Sequence, residues 1–393
     1  MSDAADAGDT TPSPLARLMA TPRIVLCCGP GGVGKTTTAA AIGLGIAASG
    51  RRCAVVTIDP AKRLANALGL EGLTNQPARI PLANDTGELW ALMLDTKATF
   101  DDLVREHAPT PAQGERILDN PFYRNISGSL SGTQEYMATE KLYELAHAPK
   151  DADGNSLPPF DCIVVDTPPS RSALEFITAP ERLTRFLDNR VFRALTAPAR
   201  GGLRVVGFAT QAVLRSIGKV VGGEVIADAI AFFQAFDGME EGFRARAQAV
   251  LAMLRDERTA WVVITAPRAE SVDESLRFAR ELAAEGITID AVVANRVQPR
   301  FSPLPPIDTP GTLSPAIMRA HAADRRGAGH DEVLRPLAEG LPAAAQIRVP
   351  LQASDVHDLA GLDAIRRALF MPVPTATGDA PAPTGSRRTR RRR

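Results

Sequence analysis

The chain has 393 residues, 45% apolar and 23% charged, with 45 basic and 45 acidic side chains. That is length and apolar content enough for a large buried core, as one big domain or two, in an ordinary globular protein. The acidic, polar start MSDAADAGDTTPSP argues against a secretory signal. The longest apolar region, Leu203 to Phe236, carries Arg215, Lys219, Glu224 and Asp228, too dense a set of charges for a membrane span. The cytoplasm is the expected location.

In chain order, residues 1–21 read as a flexible leader. RIVLCC (23–28) is a short apolar run ending at glycine, the pattern of an interior parallel strand, and an Ala-rich run from Lys35 to about Ser49 reads as a helix stopped by Gly50. CAVVTID (53–59) and ELWALMLD (88–95) follow as strands. DCIVVDTP (161–168), AWVVITAP (260–267) and DAVVANRV (290–297) repeat the form, with helical patterns such as Glu270 to Ala284 between them. Strands alternating with helices predict an α/β fold, a parallel, doubly wound sheet with helices on both faces. Residues of about 99–148 and 174–256 break that rhythm. They carry apolar side chains at helical spacing (Leu183, Phe186, Leu187; more weakly Ile230, Phe233, Gln234), so we expect an added helical layer. QIRVPLQASDVHDLAGL (346–362) reads as a strand or loop followed by a closing helix.

The last 22 residues, from Pro372, hold 6 arginines and one aspartate, which leaves the body with 39 basic against 44 acidic residues, a net of −5. A Pro/Ala/Thr/Gly segment ending in arginines predicts a disordered tail over 372–393. It suits nucleic acid, anionic lipid or an acidic partner, or simply solvent. Elsewhere a net negative body makes nucleic acid an unlikely partner. Cys27, Cys28, Cys53 and Cys162 all fall in apolar runs with no C-x-x-C pair, so buried free thiols are favoured over disulfide, metal or redox roles.

Gly29 to Thr36 reads GPGGVGKT and fits G-x-x-x-x-G-K-[ST], between an apolar strand and a helix. Glycines let successive backbone N–H groups turn inward on phosphate oxygens, and the helix N-terminus adds its dipole. Lys35 is expected to neutralise β- and γ-phosphate charge, the Thr36 hydroxyl to ligate Mg²⁺ and Thr37 to reach the α-phosphate. Gly29, Gly31, Gly32, Val33 and Gly34 complete the loop. Asp166, ending the strand DCIVVD, fits a magnesium-holding acid, directly or through water; alone it would merely cap a turn. Asp59, ending the second strand, fits an acid that orients or deprotonates water, and equally an N-cap for a helix starting near Arg63.

GPGGVGKTTT, IDPAKRLANALG, VVDTPPSRSALEF and ANR together resemble the ArsA/guided-entry, anion-transporting ATPase-like family of P-loop ATPases, over residues 22–371. NPFYRNISGSLSGTQEYMATEKL (120–142) points to its bacterial, actinobacterial-type branch. The resemblance implies an ATP- and magnesium-dependent ATPase that works as a dimer and couples nucleotide state to a client or membrane partner, in the cytoplasm or peripherally at a membrane. It implies Asp59 in a first switch, Asp166 opening a second, Asn295 reading adenine and Pro350 in a loop over the base. A MinD/ParA-like positioning ATPase, or a weakly catalytic subunit of a heteromeric ATPase, is the alternative.

The departures from the family pattern are informative. Pro30 stands where such loops usually carry a lysine that reaches the partner's phosphates. This suggests a heterodimer with a lysine-bearing paralogue, substitution by Lys62 or Arg63, or slow hydrolysis. No C-x-x-C pair is present to hold a zinc at a dimer interface, and neither zinc nor an iron–sulfur cluster is expected. Residues 203–256, with Met239 and Met253, suit a client groove, although core packing accounts better for most of those side chains.

Overall fold

A computed structural model of the chain describes residues 12–59, 63–82, 86–126, 133–151, 153–168, 170–188, 228, 230–232, 234–235, 238–301, 304 and 315–371. The 372–393 tail, most of the 203–236 region and Lys62 lie outside the described residues. Among the described residues eight strands form one sheet: β1 Ile24–Cys28, β2 Arg52–Thr57, β3 Ala78–Ile80, β4 Glu88–Met93, β5 Cys162–Asp166, β6 Thr259–Thr265, β7 Ala291–Val297 and β8 Ala345–Pro350. Their order is β3-β4-β2-β5-β1-β6-β7-β8, parallel throughout except for β3 against β4. The expected α/β sheet with helices on both faces is therefore present.

The helices are α1 Pro14–Leu18, α2 Lys35–Ala48, α3 Arg63–Ala67, α4 Thr96–His107, α5 Pro111–Leu118, α6 Pro121–Ile126, α7 Thr133–His147, α8 Ser170–Leu187, α9 Glu240–Leu254, α10 Ala269–Ala284, α11 Pro315–Gly340 and α12 Leu359–Phe370. Alternation along β1 shows how the sheet is sandwiched. Val25 and Cys27 face α2 and α12, while Ile24, Leu26 and Cys28 face the layer that contains α7, α10 and α11. Both faces being apolar, the strands read as continuous hydrophobic runs, as interior parallel strands do. None of the described helices is long and apolar enough to cross a membrane. All four cysteines are buried and free, and burial pushes the Cys28 thiol up to about 12, which keeps it protonated at neutral pH.

A third apolar cluster lies outside the sheet sandwich. Leu103, Val104, Ile117, Tyr123, Met137, Phe243 and Ala247 give the expected helical layer a core of its own. Met239 is 1% exposed and belongs to that core, which assigns it to packing.

Two findings differ from the sequence expectations, the packed residues 12–21 and the added strand β3, while the region 346–362 is as expected. Residues 12–21, expected as part of a loose leader, are packed: Leu15 and Met19 are buried, and the Ser13 hydroxyl donates to the Leu369 carbonyl at 3.0 Å. The Arg51 guanidinium donates to the carbonyls of Met19, Pro22 and Asp161, pinning that segment to the sheet's lower edge. Strand β3, three residues long, was too short to show a period. The region 346–362 resolves into a strand, a loop and α12.

α12 lies along α2 at an unusually close approach. A Cβ at Gly45 would stand 2.3, 2.5 and 2.6 Å from three atoms of the Phe370 ring. Gly45→Ala is thus expected to destabilise the fold by about 1–2 kcal/mol, despite alanine's better helix propensity. With Phe370→Ala already in place the same change becomes neutral or stabilising. Denaturant unfolding of the four chains in that cycle checks the sign reversal.

Candidate functional site

The strand order places the C-terminal ends of β2, β5, β1 and β6 side by side, and the first loop leaves the sheet there. Register aligns Thr57 on β2 and Cys27 on β1 with Asp166 on β5. Helix α2 starts at Lys35, capped by Gly34 in the left-handed region (φ 92), where glycine avoids the usual steric cost. A side chain at Gly34 would also collide with Asn295, whose Nδ2 would lie 2.3 Å from its Cβ.

A cleft of about 620 Å³ opens over this edge. It is lined by Gly31, Gly32, Gly34, Lys35, Thr36 and Thr37 of the loop and first helical turn, by the acids Asp59 and Asp166, and by Asn295 and Pro350. Two expected loop residues lie beneath it instead. Val33 is fully buried and its carbonyl accepts from Asn295 Nδ2 at 2.8 Å, while the Gly29 carbonyl accepts from Lys35 Nζ at 3.0 Å. Lys35 Nζ also donates to the Pro30 carbonyl at 2.9 Å. Burial holds the Lys35 ammonium below its usual pKa, opposed chiefly by the nearby Asp166 charge.

Asp166 is the best-held group in the cleft. It is 1% exposed, and its Oδ2 accepts from the Thr36 hydroxyl at 2.7 Å and the Thr57 hydroxyl at 3.0 Å. Its other oxygen, Oδ1, is buried with no hydrogen-bond partner among the described residues. Burial pushes this carboxyl up to about 6, against the lowering effect of the two hydroxyls and Lys35. A buried carboxylate oxygen without a donor, beside a threonine hydroxyl, fits a hard divalent cation or a water bound to one. Among the described residues no three His, Cys, Asp or Glu side chains gather as a metal site. A cation here would accordingly draw on Thr36, Asp166 and oxygens of a bound phosphate.

Asp59 is half-buried at the cleft edge, with Arg63 Nη1 3.7 Å from its Oδ2. Both ends of the Asn295 amide are engaged: Nδ2 holds the loop at the Val33 carbonyl, and Oδ1 accepts from the backbone N–H of its own neighbour Arg296 at 2.9 Å. Sequence reasoning missed Thr57, Thr167 and Arg296. Thr167 donates to the Cys27 carbonyl at 2.9 Å, and Arg296 Nη1 donates to the Gly32 carbonyl at 3.2 Å. Thr57 is the polar residue near the end of an apolar strand, a signal that becomes meaningful only once β2 is known to adjoin β5. Arg296 takes φ 60, a left-handed conformation that costs a non-glycine residue about 1–2 kcal/mol.

A glycine loop between a central parallel strand and a helix, with an acid from the neighbouring strand bonded to the loop threonine, defines a P-loop nucleotide-binding protein. The chain belongs to the anion-transporting ATPase family (ArsA_ATPase), whose model matches residues 22–303. ATPase BagA of Mycobacterium tuberculosis is 26% identical over 274 residues, covering 70% of this chain and 65% of its own length. ATPase ARSA1 of Chlamydomonas reinhardtii is 25% identical over 359 residues, 86% of this chain and 41% of that protein. ATPase GET3 of Malassezia globosa is 22% identical over 274 residues, 70% and 72% respectively. The chain thus spans 65% of the mycobacterial relative's length.

The raised Asp166 pKa has a stability consequence. The folded state binds this proton more tightly than the unfolded chain, so stability falls as pH rises between 3.8 and about 6 and stays lower above it. Asp166→Asn is therefore expected to leave stability nearly unchanged near pH 4 and to raise it by about 2 kcal/mol at pH 8 in nucleotide-free buffer. Denaturant unfolding of both chains across that range measures the difference.

Proposed function

We propose that this chain binds ATP with Mg²⁺ and hydrolyses it, serving as a cytoplasmic molecular switch that couples nucleotide state to a partner or client. The observation that carries the reading is the bond from Thr36 to the buried Asp166 at the mouth of the phosphate loop. In this reading Mg²⁺ would be held by Thr36 and Asp166 and would supply charge neutralisation to the bound phosphates.

The remaining work falls to the chain's own groups. Lys35 exchanges two neutral carbonyl partners for phosphate oxygens, which suits it because charge-assisted hydrogen bonds are roughly twice as strong as neutral ones. Backbone N–H groups of Gly31 to Lys35 cradle the phosphates, and Thr37 reaches the α-phosphate. Asp59, at the cleft edge, orients the attacking water and accepts its proton as oxygen attacks the γ-phosphorus in line with the leaving group. Asn295 spends one N–H on the loop and one lone pair on the Arg296 backbone, and an amide of four such sites has capacity left for an adenine edge. Pro350 lines the same cleft, where it would pack on the base.

Coupling to a partner is supported by one contact. Gln134, at the start of α7, donates its amide to the Ile58 carbonyl at 3.1 Å, one residue before Asp59. A shift at Asp59 thereby bears directly on the helical layer and its separate core. We propose that the working form is a dimer, with a second copy or with a paralogue that supplies the cation missing at Pro30.

Steady-state ATPase assays of the full chain test the reading. Lys35→Ala is expected to lower both ATP affinity and turnover by at least about 100-fold. Asp59→Asn should cut turnover by about 100-fold with ATP affinity within about threefold. Pro30→Lys should raise turnover by about tenfold or more if trans charge is what the loop lacks. An Asp59→Asn chain as active as the original would remove Asp59 from the chemistry.

A further inference from the structure

Strand β7 is interrupted where it meets the cleft. It pairs with β8 until Ala294 faces Arg348, and the next pair is Val297 with Pro350. Three residues advance on β7 against two on β8, so Asn295 and Arg296 form a bulge. Arg296 is, among the described residues, the non-glycine one in the left-handed region. In a regular strand, neighbouring side chains point to opposite faces. Here the bulge turns both to the same object: Asn295 is buried against the Val33 carbonyl, and the exposed Arg296 reaches the Gly32 carbonyl. Bulges beside functional sites re-aim side chains in this way.

The two residues do different things for the loop. Asn295 braces it from beneath, and that bond does not require an arginine next door. A glycine at 296 would take φ 60 without steric cost, yet the position carries a side chain with five N–H donors and a fixed positive charge. Among the described residues its hydrogen-bond partner is one neutral carbonyl, that of Gly32. Both Arg296 and Gly32 line the cleft. The cleft's other arginine, Arg63, stands beside the Asp59 carboxylate, so its charge is already answered. Among the described residues Arg296 has no ion-pair partner to give up on moving to an anion.

We infer that Arg296 is a second cationic contact for the bound nucleoside triphosphate, exchanging the Gly32 carbonyl for a phosphate oxygen. This rests on the nucleotide reading above. The bulge and the left-handed backbone are then the means of bringing a guanidinium to the loop's rim from a strand that would otherwise send it away. A planar fork suits phosphate oxygens, and an anionic acceptor strengthens the bond it replaces.

The test is equilibrium binding of a fluorescent ATP analogue, mant-ATP with MgCl₂, to the full chain and to Arg296→Lys, Arg296→Gln and Arg296→Gly. Binding is measured at low and moderate salt, with a thermal melt of each variant. Gln and Gly are expected to weaken binding by about tenfold and to flatten its salt dependence, with Lys losing less. The glycine variant separates charge from backbone. It relieves the left-handed strain, so a loss shared with Gln belongs to the guanidinium. Binding by Gln and Gly within twofold of the original chain overturns the inference, as does Lys binding as weakly as Gln. If a neutral variant fails to fold, the Lys chain decides by itself: affinity below that of a surface control, Arg319→Lys, supports a placed guanidinium contact, and affinity equal to that control's overturns it. Failure of the original chain to bind mant-ATP would instead sink the nucleotide reading itself.

Discussion

One carboxylate oxygen joins three of the segments from which the cleft is built. Asp166 Oδ2 accepts from Thr36, at the start of α2, and from Thr57, at the end of β2, while its own strand lies between β2 and β1. The arrangement works against stability taken alone, because an ionised carboxylate at 1% exposure has given up its water. Two hydroxyls and the Lys35 charge offset part of that cost, and the unpartnered Oδ1 marks where the rest is left for function to use. The parallel sheet is what makes the joint geometrically available, since it brings the ends of non-consecutive strands together at one edge.

Four carbonyls of the phosphate loop accept side-chain hydrogen bonds. Gly29 and Pro30 are engaged by Lys35, Gly32 by Arg296 and Val33 by Asn295. With these carbonyls taken up, the loop's backbone amides are what it has to offer an anion. Pro30 suits this scheme. It has no side-chain charge and no N–H, and the contribution recorded for it is a carbonyl to Lys35. The absence of a lysine at that position therefore leaves the loop's own closure intact.

The helical layer stands apart in its packing and meets the site through α7. Its core is separate from the two that flank the sheet, yet Gln134 ties it to the residue before Asp59. The stretch TQEYMATEKL was visible as a motif in the sequence. Its place beside Ile58 was not, because Gln134 and Ile58 are 76 residues apart and no local pattern joins them.

The amino-acid sequence by itself determined the class of fold, the strand and helix that frame the loop, and the loop's chemistry. Period, glycine placement and the Lys–Thr pair are local properties, encoded within a few consecutive residues. Asp59 and Asp166 were also legible as acids at strand ends, and Asn295 only through resemblance to a family. Tertiary structure alone decided that Thr57 bonds Asp166, that Val33 and Gly29 lie beneath the cleft, and that residues 12–21 pack against α12. It also decided that a bulge turns Arg296 onto Gly32. Each of these depends on strand order or on register between segments far apart in the chain, and a register step moves every side chain to the other face without changing a letter of the sequence.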